Sequence, residues 1–325
     1  MKLTVDMTGR KQIAITGAFS YTGRYITEQL IQRFGAKNLR IINLNRRKLK
    51  NPFQHTDLEV VTYPLAFDNR SELTKALEGS SFFVATYWMR FDHYQTARNE
   101  VVNNAKMLVD CAKQAGVERY VYTSHTQADV NCHVPYIAGK AQVETHVKEQ
   151  FPGRYGIVKP CTIFGDTPEE SIVINNIAYL LRTFPVMAIV GDGKYPLHPV
   201  HVRDMARLCI EAGIDEHGVG EYDLDAVNPE KTDFIDLLRI TRDTLGTNCW
   251  LQTGVPLDLA FWCTKPLNWY HKDILIDKTD IDLMTNHITC SHKEPLGRIR
   301  YSDWIRENKD TLGRKYISSL QRYYT

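Results

Sequence analysis

The chain has 325 residues, with 40 Lys and Arg against 38 Asp and Glu for a net charge of +2, and is 43% hydrophobic and 24% charged. This composition excludes a disordered or fibrous chain, and so small a charge gives no ground for a general nucleic-acid or anionic-membrane partner. No stretch reaches the roughly 18 consecutive apolar residues of a membrane span. The seven cysteines (Cys111, Cys132, Cys161, Cys209, Cys249, Cys263 and Cys290) are odd in number, scattered and without a CxxC pair. Neither a disulfide framework nor a zinc site is indicated. With no apolar signal core in MKLTVDMTGRKQIAIT, the sequence reads as cytoplasmic.

In chain order, 13–17 reads as a buried strand and 22–34 as a helix with Ile26, Leu30, Ile31 and Phe34 on one face and Gly35 at its end. Strands follow at 40–44 and 58–63, a short helix at 71–77, and a strand at 81–86. A long helix runs from about Asp92 to Gly116, then come a strand at 119–124, a helix after Pro135 and a strand at 155–159. Strands too apolar to face water, alternating with helices, predict an α/β doubly wound parallel sheet. Its ligands sit beyond the C-terminal strand ends. Past Gly165 the alternation weakens: 232–245 reads as helical, 256–270 as aromatic and irregular, 301–324 as amphipathic. The expected division is a dinucleotide-binding domain over 1–165, with 186–225 returning to it, and a smaller, mostly helical substrate region over 166–185 and 226–325.

The turn Thr16-Gly-Ala-Phe-Ser-Tyr-Thr-Gly23-Arg24 joins the first strand to the first helix. Gly17 suits a tight turn and Gly23 close helix–strand packing, and the helix N-terminus offers amides and a positive dipole end to a pyrophosphate. Ser20, Tyr21, Thr22 and Arg24 complete this candidate loop. The second strand ends in Asn43-Leu-Asn45-Arg46-Arg47-Lys48. A carboxylate for the ribose 2′-hydroxyl is missing there, and the cations suit a 2′-phosphate. NADP(H) is therefore favoured over NAD(H), although such charge runs also form plain solvated faces.

Ser124 ends the fifth strand, and Tyr136-Ile-Ala-Gly-Lys140 opens the helix after Pro135. Residues four apart share a helix face, so the Tyr136 phenol and the Lys140 ammonium can serve one site. A phenol of pKa near 10 is a poor base, and a neighbouring ammonium favours its ionised form. Such a Tyr can move the proton that accompanies hydride transfer at a carbonyl, with Ser124 hydrogen-bonded to the substrate oxygen. Thr123 is a lesser substitute for Ser124.

Together these motifs resemble extended and atypical short-chain dehydrogenases/reductases. Gly17 and Gly23 match the outer glycines of a TGxxGxxG loop with Ser20 in the middle position, and Ser124, Tyr136 and Lys140 match the Ser-Tyr-Lys site. Lys159-Pro160-Cys-Thr-Ile163-Phe-Gly165 is similar to an RPxxxYG segment, and Gly191-Asp-Gly193 with His198-Pro-Val-His201-Val-Arg-Asp204 to a GDG…HVxD stretch. The resemblance implies an NAD(P)-dependent oxidoreductase or epimerase-type enzyme acting on a small molecule. Asp68 would accept from the adenine amino group, Lys140 would hold the nicotinamide ribose, and Thr86, Pro160 and Ile163 would line the cofactor. A homodimer through 92–115 and 136–150 is the superfamily habit. The competing reading is a non-catalytic dinucleotide-binding sensor or assembly protein.

Weaker candidates are Tyr87, Trp88 and Arg90 after the fourth strand, and Asn175, as substrate contacts. For each, a purely structural role is an equal reading. The HxxH pair His198 and His201 lacks an obvious third ligand, so no metal is expected. The aromatic segments at 261–263 and 268–270 suit a lid, a subunit contact or core.

Overall fold

The computed structural model describes residues 5, 9–89 and 98–323. In chain order the elements are β1 (Lys11–Thr16), α1 (Tyr21–Phe34), β2 (Leu39–Asn45), β3 (Glu59–Pro64), α2 (Arg70–Leu77), β4 (Phe82–Ala85), α3 (Arg98–Gln114), β5 (Arg119–Thr123), α4 (Pro135–Gln150) and β6 (Tyr155–Pro160). There follow β7 (Ile163–Phe164), α5 (Ile172–Thr183), β8 (Val186–Val190), β9 (Pro196–Leu197), β10 (Val200–His201), α6 (Val202–Ile214) and β11 (Glu221–Ala226). The last are β12 (Thr232–Asp233), α7 (Phe234–Leu245), β13 (Trp250–Val255), α8 (Leu257–His271), α9 (Lys278–Thr285), α10 (Tyr301–Asn308) and α11 (Ser319–Tyr323). The chain forms two compact units, Met1–Pro160 with Arg203–Ala226, and Cys161–Val202 with Val227–Thr325.

The first unit is a seven-stranded sheet ordered β11-β6-β5-β4-β1-β2-β3, parallel throughout. Its central strands are the apolar runs of the sequence: Ile13, Ala14, Ile15, Phe82, Phe83, Val84 and Val121 have no exposed surface. Strand order reverses between β1 and β4, the switch point beyond whose C-terminal ends doubly wound folds bind ligands. The edge strand β11 was not singled out in the sequence, although Glu-Tyr-Asp-Leu-Asp-Ala has the polar–apolar alternation of a half-buried strand; among the described residues it pairs with β6 only. Arg119, itself 3% exposed, ties this edge together. Its guanidinium donates to the carbonyls of Ala212 (3.0 Å), Gly220 (2.9 Å) and Tyr155 (3.3 Å). Burial lowers its pKa, partly opposed by Asp215.

The second unit packs Phe164, Ile174, Leu237, Leu238, Tyr301, Trp304 and Ile305 into a separate core. Around it are three two-stranded ladders: β7 with β10 and β8 with β13, both parallel, and β9 with β12, antiparallel. The boundaries differ from those expected. The first unit ends at Pro160 and resumes at Arg203, so 186–202 belongs to the second unit.

Residues 257–271, expected to be irregular, form α8 with Pro266 inside it, and none of its residues is buried. Trp262, Trp269 and Tyr270 are 67%, 83% and 72% exposed, which removes the core reading. The segment 301–324 divides into α10 and α11. The start of the helix expected near Asp92 lies outside the described residues, and α3 is described from Arg98. Among the described residues, no helix is long and apolar enough to cross a membrane, and all seven cysteines are free thiols.

The tightest approach in the first unit lies between α1 and the turn before it. A Cβ on Gly23 would come within 2.0 Å of the Gly17 carbonyl oxygen. Gly23→Ala is expected to cost about 1–3 kcal/mol, the usual range for overpacking, as a lowered urea midpoint. An unchanged midpoint would show that the turn yields freely.

Candidate cofactor and reaction site

Gly17 adopts φ +64°, a left-handed conformation that favours glycine. Its N–H donates to the Leu44 carbonyl (2.7 Å), and its own carbonyl accepts from the Ser20 amide (2.8 Å) and the Ser20 hydroxyl (2.6 Å). The Ser20 hydroxyl therefore closes the turn on itself. What the turn offers an anion is the first turn of α1, whose leading amides have no intrahelical acceptor. The sequence reading missed Asn43: fully buried in β2, it accepts the Ala18 amide through Oδ1 at 2.8 Å and props the turn from below. A buried Asn within an apolar strand was the available signal. Arg24 lies over the Tyr25 ring (4.8 Å) and donates to its hydroxyl (2.5 Å).

Beyond β2 and β3, a pocket of about 310 Å³ is lined by Arg46, Leu65, Ala66, Phe67, Asp68, Glu100 and Asn104. It brings together Arg46 and Asp68 from the expected set and adds Glu100, which nothing in the sequence singled out. Arg46 donates to the Met89 sulfur (3.3 Å). Asn45 accepts the Arg47 amide (3.3 Å), while its buried Nδ2 has no partner among the described residues. Arg47 is not in the pocket lining. Thr86 and Thr16 lock the ends of β4 and β1: the Thr86 amide donates to Thr16 Oγ1 (2.6 Å), and its hydroxyl to the Thr16 carbonyl (2.8 Å). Tyr87 is buried against Phe67, ring centroids 4.9 Å apart, and accepts from Asn104. It serves as wall. Arg90 lies outside the described residues.

On the other side of the switch point, α4 starts with Pro135 at its first turn. Tyr136, Lys140 and Glu144 lie at four-residue spacing along one face. Lys140 is 3% exposed. Its ammonium donates to the Thr123 carbonyl (2.7 Å) and sits 4.3 Å from the Trp88 ring centroid and 5.1 Å from that of Tyr122. Burial pulls its pKa down to about 7, with Glu144 opposing.

Ser124, expected at the substrate oxygen, donates its hydroxyl to Glu144 instead. A buried carboxylate needs donors. Glu144 also meets Lys159 at 3.2 Å, and Lys159 meets Asp223 at 3.0 Å. Burial raises the Glu144 pKa, while Lys159 and the Ser124 hydrogen bond lower it. Trp88 and His125 each lie edge-on to Tyr136, with ring centroids 5.8 Å away. The Glu144 chain was not picked out from the sequence, and His125 stood out there only as a weak signal near Cys132 and His133, read as structural or as part of a loop beside the site. Glu144, four residues after Lys140, was the readable signal.

The remaining candidates lie elsewhere. Pro160 ends β6, whereas Ile163 belongs to the second unit. Asn175, also there and 2% exposed, donates to the Lys315 carbonyl (2.9 Å) and accepts the Gly313 amide (3.0 Å). Its amide holds a loop in place. His198 Nδ1 accepts the Ser291 amide (3.1 Å), and His201 lies edge-on to Phe164.

Residues 9–156 match the NmrA-like family. The resemblance read from the sequence holds. Over 211 residues the chain is 26% identical to mitochondrial NADH dehydrogenase (ubiquinone) 1 alpha subcomplex subunit 9 of Mus musculus, covering 64% of this chain and 54% of that protein. The chain thus spans about half the length of the curated relatives it matches. In three dimensions it is similar to the triphenylmethane reductase of Citrobacter sp. complexed with NADP(H), with TM-score 0.69 and 16% identity over 91% of this chain and 99% of that one. It is also similar to an NADPH-dependent quinone oxidoreductase from Escherichia coli complexed with NADPH (TM-score 0.59, 19% identity, 92% and 99% covered). A Staphylococcus aureus nucleoside-diphosphate-sugar epimerase gives 0.62 at 17% identity, with 91% and 99% covered. The fold is that of NAD(P)-binding reductases and epimerases.

The Lys140 pKa has a consequence for stability. With a folded pKa of about 7 against the ordinary 10.5, the unfolded chain holds the proton more tightly between those values. Stability from this group therefore rises with pH across that window. Urea unfolding of wild type and Lys140→Met is expected to show the wild type gaining relative to the variant from pH 7 to about pH 9.5. A pH-independent difference would show that Lys140 keeps its ordinary pKa.

Proposed function

We propose that the chain is an NAD(P)-dependent oxidoreductase or epimerase-type enzyme in which Tyr136 moves the proton. The observation that carries this reading is the placement of Tyr136 and Lys140 on one face of α4, beside the end of β5 and on the same strand-end side of the sheet as the Gly17 turn. The residues present fit a dinucleotide. The Gly17–Gly23 turn leaves the α1 amides to a pyrophosphate, the pocket at Arg46 and Asp68 suits an adenosine, and the orphaned Nδ2 of Asn45 supplies a donor at the β2 end.

In this reading, Asp68 accepts from the adenine amino group and Arg46 meets the ribose 2′-phosphate, favouring NADP(H). When bound, the nicotinamide supplies or accepts the hydride. Tyr136 gives its phenolic proton to the substrate oxygen in reduction and takes one in oxidation. Lys140, when charged, favours the phenolate. Glu144 holds Ser124 in place.

A second reading, dinucleotide binding without chemistry, is favoured by one observation. The Lys140 ammonium is covered by Trp88 and engaged by Thr123, so a ribose reaches it only if Trp88 moves.

Two measurements test the proposal. In fluorescence titration, NADPH is expected to bind more tightly than NADH; NADH binding at least about tenfold tighter, a 1.4 kcal/mol preference, overturns the role of Arg46. Across a panel of alcohols, ketones and nucleotide sugars, Tyr136→Phe is expected to lose turnover by about 10²–10⁴-fold, the usual worth of a positioned acid/base. Retained turnover removes Tyr136 from the chemistry, and NADPH binding with no turnover by the wild type supports the second reading.

A further inference from the structure

The strand end that turns Ser124 onto Glu144 brings the next residue, His125, against Tyr136. His125 is 5% exposed. Its Nδ1 lies 2.9 Å from the Thr126 carbonyl oxygen, with the Thr126 hydroxyl farther off at 3.5 Å. A carbonyl only accepts, so Nδ1 carries the hydrogen. Burial and the charge of Lys140 pull the imidazole pKa down to about 4, which leaves the ring neutral at pH 7. In a neutral ring protonated at Nδ1, Nε2 is a lone pair, and among the described residues it has no hydrogen-bond partner. His125, Tyr136 and Trp88 are successive edge-to-face neighbours, giving an aromatic wall.

We propose that His125, rather than Ser124, is the second polar group of the reaction centre, and that its Nε2 accepts the hydrogen of a ligand hydroxyl beside Tyr136. The inference rests on the reading that Tyr136 marks the reaction centre. A serine hydroxyl can donate to a carbonyl oxygen or accept from an alcohol. A neutral imidazole held in this tautomer can only accept at Nε2. The site therefore discriminates by hydrogen-bond polarity: it takes the hydroxyl-bearing form of a substrate, a carbinol next to a flat or aromatic group, in preference to the corresponding ketone. An acceptor facing a carbonyl oxygen leaves both unpaired, and such mismatches are what make polar discrimination effective.

The test has two arms on the full-length chain. The first is ¹⁵N NMR of histidine-labelled protein at pH 7 without cofactor, with His125→Phe assigning the signals. The expected spectrum is the Nδ1–H tautomer; an Nε2–H ring or an imidazolium overturns the proposal. The second compares 1-phenylethanol with acetophenone by NMR titration at saturating NADP⁺. Wild type is expected to bind the carbinol about tenfold more tightly, as one net hydrogen bond allows. His125→Phe brings the ratio to about one, and His125→Gln, which restores an acceptor, recovers the preference. A wild-type preference for the ketone, a ratio unmoved in His125→Phe, or binding of neither compound by a chain that binds NADPH overturns it. NADPH affinity of each variant reports that the fold is intact. A wild-type chain that has the expected tautomer but binds no NADPH counts against the proposed function instead.

Discussion

The Lys140 ammonium sits out of water, and the site is arranged around that constraint. Desolvating a charge costs several kcal/mol unless acceptors replace the lost water. Here the replacements are the carbonyl of Thr123 and the faces of Trp88 and Tyr122. They come from two parts of the first unit: Thr123 and Tyr122 from β5, and Trp88 from the segment after β4. The position of α4 relative to the strand ends is therefore set by where one cation can be accommodated. Tyr136 follows one helical turn away, already at the mouth of the sheet.

The same helix face continues into a second polar chain. Glu144 takes the Ser124 hydroxyl and Lys159, and Lys159 takes Asp223 from the edge strand β11. A buried carboxylate with two partners is tolerable where one without them is not. This chain joins α4, β5, β6 and β11, and Arg119 joins the other end of the same strands to α6. The outer part of the sheet, where apolar burial is thinnest, is held by oriented charges and carbonyls. The polar–apolar alternation of β11 suits this half-exposed edge position.

Most of the fold was legible because it depends on local periodicity. The apolar runs at 13–16, 82–85 and 119–123 are buried on both faces, and the Gly17–Gly23 spacing is dictated by one backbone approach. The legible part of the site was likewise the part set by spacing, Tyr136 and Lys140 on one helix face. The orientation of Ser124 and His125 was not. The position of Glu144, four residues after Lys140, is readable, but that its carboxylate meets Ser124 is set by tertiary packing. The structural reading of Asn175 could not be chosen for the same reason: its amide is directed by the 313–317 loop, more than a hundred residues away. In α8 the aromatic content and Pro266 hid a helix whose Trp262, Trp269 and Tyr270 are exposed.

The two ends of the candidate site differ in how readily they change partners. At the end proposed to take the adenosine, Arg46 rests on a thioether sulfur, a weak acceptor, in a pocket that also holds Asp68 and Glu100. Replacing that sulfur by a phosphate oxygen exchanges a poor hydrogen bond for a charge-assisted one. The local rearrangement is confined to one flexible side chain. At the end proposed to carry the reaction, Lys140 is already satisfied by a backbone carbonyl and two rings, and exposing it means moving Trp88. In the proposed function, binding of the adenosine half is thereby separable from engagement of the reacting half. The first is governed by a cation waiting on a soft atom, and the second by an indole that must leave the ammonium it covers.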